Sequence, residues 1–335
     1  MSITGLGQGG SFRVQAEAVY DTPIATSQTF LPLAEGTLVY IVEQIAKQNL
    51  IGSRVPQAPQ DGRKKVGASD LTFEIAPDLM GLFMQLPFGT SSDAGSDAYT
   101  HTWLVPISGE NAGGSWTVEQ FIGSDTGEQF GGVKCTKFMI NWDSEATVKI
   151  VMTLVGVGAD DVAVTRPTTV TVSSNDYYTF CNMVTQITPS GVAQFTQRVN
   201  SGEIMVDFGY LDDGQRYQAG SCEAGAPIFG TIPAVTVKLN IDAEKRFETW
   251  AQSQHSFKID VTATSTEIAH GTTPYSFVAE IPAMILDPAT NRETALDLIS
   301  QDLSFTANVG GTTTGSGTDV VQAEIRVVDD TAAYA

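Results

Sequence analysis

A mainly β protein, built from two related β-sandwich units that each carry one short flanking α-helix, is what this sequence predicts. Three observations lead there. The 335 residues are 42% hydrophobic and only 17% charged, and Gly, Thr, Ser and Val are abundant, a mixture that suits many strands joined by tight turns. Apolar residues recur at alternate positions in the short runs between turns, which is the period of a half-buried strand. A strand–helix unit near Leu71 returns near Val235, about half a chain later.

The chain opens MSITGLGQGGSFRVQ, where Gly5, Gly7 and Gly10 fall at the G-x-G-x-x-G spacing of a dinucleotide-binding loop. Such a loop needs a buried strand before it and a helix after it, whose free N–H groups receive a pyrophosphate. Here SFRVQAEAV alternates Phe12 and Val14 with polar neighbours, so the next element is a strand and the glycines form an arm. TLVYIVEQI over 37–45 is a further strand candidate, followed by a long turn-rich loop over 50–67, LIGSRVPQAPQDGRKKVG. In VGASDLTFEIAPDLMGLF, Leu71, Phe73 and Ile75 share one face of a strand that ends at Pro77-Asp78 and turns into a short helix. THTWLVPI and KCTKFMINWDSEATVKIVMTLVGVG add strands, with Trp142 continuing the Phe138–Ile140 alternation.

The second half repeats this order. EIMVDFGYL over 203–211 is a strand candidate, and the turn-rich DDGQRYQAGSCEAGAPIFG follows it. In GTIPAVTVKLNIDAEKRFETW, Val235, Val237 and Leu239 alternate before Asp242 opens a helix, and Phe247 and Trp250, three apart, share its buried face. Phe73 and Val237, Ile75 and Leu239, Asp78 and Asp242, and Phe83 and Phe247 are each 164 positions apart. We therefore divide the chain near Val164, into a first domain over 1–164 with the glycine-rich arm and the long basic loop, and a second over 165–335. Near the end, Leu303, Phe305 and Ala307 alternate with Asp302, Ser304, Thr306 and Asn308, and VVQAEIRVV does the same with Gln322, Glu324 and Arg326. Each run predicts one oily face and one hydrophilic face.

Composition excludes several functions. A formal charge of -20 argues against a nucleic-acid gripper, which needs Lys and Arg to displace condensed counterions. The first fifteen residues lack the basic start and apolar run of a signal peptide, and no stretch approaches the roughly twenty apolar residues of a membrane span, so a soluble chain is expected. Cys135, Cys181 and Cys222 are far apart, without metal or redox spacing, and are expected to be buried free thiols. His101, His255 and His270 lie in no H-E-x-x-H or other catalytic frame. Asp212-Asp213 precedes Gly214 and reads as turn chemistry, and Asp160-Asp161 has a similar setting. No catalytic, metal or cofactor site is assigned. A carbohydrate-binding or adhesin module is the rival reading, in which Tyr177, Tyr178, Trp116 and Trp250 stack on sugar rings.

Three segments carry a resemblance: QAEAVYDTPIATSQTFLPLAEGTL, VGASDLTFEIAPDLMGLFMQLPFG and YSFVAEIPAMILDPATNRETALDLISQDLSFTANVG. In their order and shape the chain resembles the major tail tube protein of long, non-contractile tailed phages; the inner tube of a contractile tail is the nearest alternative. The resemblance implies a structural virion protein without enzymatic activity or cofactor, made in the host cytoplasm and placed in the phage tail. It implies β-sandwich domains that assemble into rings, with inner strands joined into one barrel around a channel, and rings stacked into a tube. The implied partners are further copies of itself, a tape-measure protein, terminator and tip proteins, and double-stranded DNA passing without specific binding. Two tube domains per chain imply a ring of three copies, and a decorative second half would imply six. Asp302, Ser304, Thr306, Asn308, Gln322 and Glu324 become candidates for the channel wall, beside the cations Lys137, Lys149 and Arg326. Arg54, Arg63, Lys64 and Lys65 become the candidate contact with the adjacent ring, a contact the glycine arm is expected to share.

Overall fold

β-branched and aromatic residues at alternate positions drive most of the chain into strands. The computed structural model describes residues 10–24, 29–45, 60–68, 70–106, 114–122, 126–156, 162–165, 173–210, 225–288, 291–295, 298–307, 310–316 and 319–332. The first half contains β1 (Gly10–Ala16), β2 (Thr29–Glu35), β3 (Leu38–Ile45), β4 (Gln60–Ala68), β5 (Leu71–Glu74), helix α1 (Met80–Phe88), β6 (Ser92–Ala94), β7 (Tyr99–Pro106), β8 (Trp116–Ile122), β9 (Thr126–Asp143), β10 (Lys149–Gly156) and β11 (Val162–Thr165). The second contains β12 (Met183–Pro189), β13 (Phe195–Gln197), β14 (Val199–Asp207), β15 (Ala234–Asp242), helix α2 (Lys245–Gln252), β16 (Ser256–His270), β17 (Thr273–Leu286), β18 (Asn291–Ala295), β19 (Leu298–Ala307) and β20 (Val321–Asp329). The architecture is mainly β, as the sequence predicts.

Each half bends its strands into a closed circuit, which satisfies edge groups that an open sheet would expose. In the first, antiparallel pairing runs β1–β2–β5–β10–β9–β8 and returns to β1. In the second it runs from β12 through β13, which continues past Arg198 into β14, then β15–β19–β17–β16 and back to β12. The inward residues, among them Phe12, Phe73, Phe83, Phe138, Val237, Phe247, Phe257 and Phe305, form one buried apolar cluster that includes residues of both halves.

The repeated strand–helix unit occurs as predicted, with one shift. Helix α2 begins at Lys245, three residues after Asp242, and its N-cap Glu244 makes no side-chain cap bond. The two helices also differ in environment. Every residue of α1 is buried, because it packs against β9, β7 and β20. Helix α2 buries only Phe247 and Ala251, and its Phe247 ring meets Trp250 edge-on at 5.4 Å. Gly89 ends α1 at φ 78, a left-handed conformation suited to glycine, and its carbonyl accepts from the Trp103 indole at 2.8 Å.

The two halves share strands at two places. β14 of the second half pairs with the far end of β9, and β20 pairs with β7 of the first half. The basic segment read as a loop is in part a strand: Arg63, Lys64 and Lys65 lie on β4, paired with β3, whereas Arg54 lies outside the described residues. Among the thiols, Cys135 is buried as expected, but Cys181 is exposed, because it sits in a short 3-10 turn before β12. Gly5, Gly7, Asp160, Asp161, Asp212, Asp213 and Cys222 also lie outside the described residues; Gly10 opens β1.

Candidate functional site

The β9–β14 junction makes one sheet of β5–β10–β9–β14–β15–β19, and its two faces separate by residue parity. One cross-strand row reads Phe73, Ile150, Ile140, Ile204, Val237 and Phe305, none more than 2% exposed. The neighbouring row, on the opposite face, reads Glu74, Lys149, Asn141, Glu203, Lys238 and Ser304. Two positions further along, Thr72, Val151, Met139, Met205, Thr236 and Thr306 form the next row of that face. Because the side-chain period is two, a one-residue slip at the junction would turn the apolar row outward, so core burial fixes the register.

This opposite face holds a groove of about 560 Å³, lined by Asn141, Lys149, Glu203, Lys238, Asp302 and Ser304 and also by Trp142, Ala146, Leu239 and Leu303. Its cations stand opposite carboxylates. Lys238 Nζ lies 2.9 Å from Glu203 Oε1, Lys149 is opposite Glu74 in register, and Lys137 is opposite Asp207. Asp143 and Asp302 add two exposed carboxylates, the second accepting from Asn240 Nδ2 at 2.7 Å. A surface of this kind offers a polyanion little positive charge.

Three of the six predicted wall residues belong to this face: Asp302 and Thr306 are exposed and Ser304 is half-buried on β19. Asn308 lies outside the described residues. Gln322 and Glu324 require a correction. Val321, Gln322, Ala323, Glu324 and Ile325 are all buried, so the alternation there does not divide an inner from an outer face. The turn around Thr313–Ser316 covers Glu324, which accepts from Gly315 N–H at 2.7 Å, from the Thr313 hydroxyl and from Arg326 Nη1 at 2.6 Å. Gln322 donates its amide to the Pro233 carbonyl at 2.5 Å. Arg326 also reaches Glu280, which pairs with Lys258 at 2.8 Å, so this cation belongs to a partly exposed ionic network around two buried carboxylates and not to the groove.

Of the four aromatics of the sugar-binding alternative, none is fully exposed, and Tyr177 is half-buried. Trp116 and Tyr178 are buried, and Trp250 is packed among Phe195, Phe247 and Phe257. The sequence reading missed Asn141, Glu203 and Lys238, although KFMINWD already alternates Lys137, Met139, Asn141 and Asp143 with Phe138, Ile140 and Trp142. It also missed His101, two of whose three partners are remote in sequence. His101 is fully buried on β7, with Nδ1 2.7 Å from Asp93 of β6 and Nε2 3.1 Å from Asp329 of β20 and 2.9 Å from the Thr331 carbonyl. Burial alone would lower its pKa, but the bonds to Asp329 and Asp93 outweigh it and raise the imidazole to about 9. At neutral pH an imidazolium therefore ties the β6–β7 hairpin to β20. Among the described residues no group of His, Cys, Asp and Glu is placed to hold a metal ion.

Comparison with known families places the chain. A family model described as phage tail tube protein matches residues 7–307. The chain belongs to the phage tail tube protein family. A search of curated proteins returned no match. The family makes this chain a structural component of the bacteriophage virion, in the tail tube. No helix among the described residues is long and apolar enough to cross a membrane.

Proposed function

We propose that this chain stacks, ring upon ring, into the tube of a long non-contractile tail, and that the groove face of the β5–β10–β9–β14–β15–β19 sheet is the channel wall along which DNA moves during ejection. The observation that carries the reading is the continuity of that sheet through both halves, with a buried apolar row on one side and a groove bearing a row of polar and charged residues on the other. Lysines set against Glu74, Glu203 and Asp207 leave little charge to hold phosphates, so a duplex slides.

Both halves, 1–164 and 165–335, then act as tube domains, and three copies complete a ring. Following the ladder from β3 through β4, β10, β9, β14, β15 and β19 to β18 counts eight strand positions per chain. Three copies supply 24 strands, which at ~4.8 Å spacing and ~40° tilt close a barrel with a backbone diameter of about 48 Å. Six copies would double that, far beyond what guiding one duplex requires. Arg63, Lys64 and Lys65 on β4, together with Arg54, contact the acidic surface of the adjacent ring, where charge complementarity sets orientation and association rate. The remaining partners are a tape-measure protein in the lumen and terminator and tip proteins at the ends.

Negative-stain electron microscopy of the purified, concentrated protein tests this reading. Hollow end-on rings with three-fold symmetry are the expected result. Six-fold rings of six chains would refute the three-copy arrangement, and filaments without a lumen would refute the conduit.

A further inference from the structure

The β3–β4 hairpin leaves the body of the first half on a narrow root. β2 pairs with β5 as far as Glu35 opposite Thr72, and the chain then passes Gly36, whose φ of 97 lies in the left-handed region. A Cβ at Gly36 would fall 2.6 Å from the Asp70 carbonyl oxygen, so the passage suits glycine alone. Beyond it β3 pairs with β4, and among the described residues β4 pairs with the body only at Val66 and Gly67, opposite Gly156 and Val155. Arg63, Lys64 and Lys65 lie further out along β4 than that last tie. At the equivalent place in the second half, seven register pairs with β9 fix the direction of β14.

In the first half one side chain takes the place of a strand. On β8, Trp116 and Val118 belong to the apolar core, and the same parity brings Gln120 to the core face, opposite Phe12 of β1. An apolar residue would suit that position, whereas an amide only 4% exposed has to be hydrogen-bonded. Leu38 N–H donates to Gln120 Oε1 at 2.7 Å, and Gln120 Nε2 donates to Leu38 C=O at 3.3 Å. A residue of a neighbouring antiparallel strand would present the same acceptor and the same donor. Leu38 is itself 1% exposed, so water does not replace these bonds in the folded chain. They are made at the first residue of β3, two past Gly36, where a small change of direction is carried along the whole hairpin.

We infer that Gln120 is a positioning residue: its side-chain amide stands in for a neighbouring strand at the root of the β3–β4 hairpin and sets the direction in which the hairpin leaves the body. Gly36 gives the chain freedom to turn, and the two amide bonds select one direction from it. The consequence falls on Arg63, Lys64 and Lys65, which the hairpin carries. Its bearing on the contact between rings rests on the proposed function; the positioning itself is a property of the single chain.

Spin labels on the full-length chain test this, placed at Arg63→Cys, exposed on the hairpin, and Glu145→Cys, exposed in the turn between β9 and β10, with Cys181→Ser and Cys222→Ser. The parent should give one narrow distance distribution at about pH 5 and at about pH 8. Gln120→Leu, which offers Leu38 neither acceptor nor donor, should broaden the distribution about twofold or more at both pH values. Gln120→Glu adds a readout that packing alone would not move. Protonated, a carboxyl group accepts from Leu38 N–H and donates to Leu38 C=O as the amide does; ionised, it has no proton to give the carbonyl. Its distribution should be narrow at about pH 5, where burial keeps the carboxyl protonated, and broad at about pH 8. If Gln120→Leu does not fold, Gln120→Glu decides alone. A parent-like width for Gln120→Leu, or one unchanged width for Gln120→Glu, would overturn the inference and leave the tube reading intact. Faster exchange of the Leu38 amide beside an unchanged distribution would mark a local bond only, and would overturn it too. A parent chain that never forms rings would sink the tube reading and leave the positioning of the hairpin standing.

Discussion

Gly202 lies opposite Trp142 at the β14–β9 junction, where the halves meet. A Cβ at Gly202 would fall 2.2 Å from Trp142 Cζ2, 2.5 Å from Cε2 and 2.8 Å from Cη2, so the ring occupies the space that any side chain would need. In an unconstrained strand Gly→Ala stabilises by about 0.5–1 kcal/mol through backbone entropy. Here the sign reverses. If Trp142 holds its place, the strands must part, an overpacking cost of about 1–3 kcal/mol. If the indole leaves its site, where it is 2% exposed, burial of roughly 200 Å² is lost, about 5 kcal/mol at ~25 cal/mol per Å². Gly202→Ala should therefore destabilise the chain by about 2–5 kcal/mol, read from denaturant midpoints followed by tryptophan fluorescence. Adding Trp142→Leu should recover part of that loss, since the smaller side chain vacates the contested volume and the two changes cannot add. A Gly202→Ala chain as stable as the parent, or a double variant whose loss is the sum of the singles, would refute the packing argument.

Three further outcomes are expected. The imidazolium of His101 has its pKa raised from 6.5 to about 9, so its stabilisation is complete below about pH 6.5 and is lost as pH rises through 9; the unfolding free energy from denaturant titrations should fall over that window by at most about 3 kcal/mol, and His101→Gln should flatten the slope. Of Cys135 and Cys181, only Cys181 should react with a thiol reagent in the native chain, because burial pushes the Cys135 thiol pKa far up; peptide mapping that finds Cys135 labelled at a similar rate would contradict this. Tubes of the Glu74→Gln, Glu203→Gln, Asp207→Asn variant, whose wall lysines lose their opposite carboxylates, should retain DNA with a log–log salt slope of about -0.9 per phosphate engaged, whereas parent tubes should not; salt-sensitive retention by the parent would count against a sliding wall.

Local periodicity made much of the fold legible. Phe73, Ile75, Val237 and Leu239 alternate as strand residues, and the core accepts them on the side the alternation indicates. The repeat placed both helices, since their apolar residues must face the same kind of sheet. Less accessible were features decided by residues distant in sequence. That α1 is buried on every side depends on β7 and β20 arriving from elsewhere, which nothing in MGLFMQLPF announces beyond its uniform hydrophobicity. Glu324 misled for the same reason: alternation reports the period of a strand, but the Thr313–Ser316 turn that buries its carboxylate is a tertiary event. On β19, by contrast, Asp302 and Thr306 are exposed and Ser304 is half-buried, so the alternation there does separate the two faces of the strand within the chain. His101 could not be read locally, because Asp93 lies only eight residues before it but its second carboxylate, Asp329, is 228 residues away.

The two connections between halves act together. The overhang of β9 fixes the first connection through seven consecutive register pairs, Ser201–Asp207 against Asp143–Lys137. β7 against β20 fixes the second, and the buried Asp93–His101–Asp329 contact ties the β6–β7 hairpin to it with a charged group that cannot slide without leaving ions unpaired. One strand pairing alone could act as a hinge, because a ladder resists shear better than rotation about its own axis. Two pairings on different strands remove that freedom. For the proposed ring this matters quantitatively: a heterologous contact closes only if every step turns by the same angle, and a variable angle gives open helices. Half of the steps in a three-copy ring would then lie inside chains, set during folding, which lowers the ordering entropy that assembly must overcome. The pH range in which His101 loses its proton is accordingly the range in which ring closure, and not only chain stability, should become less uniform.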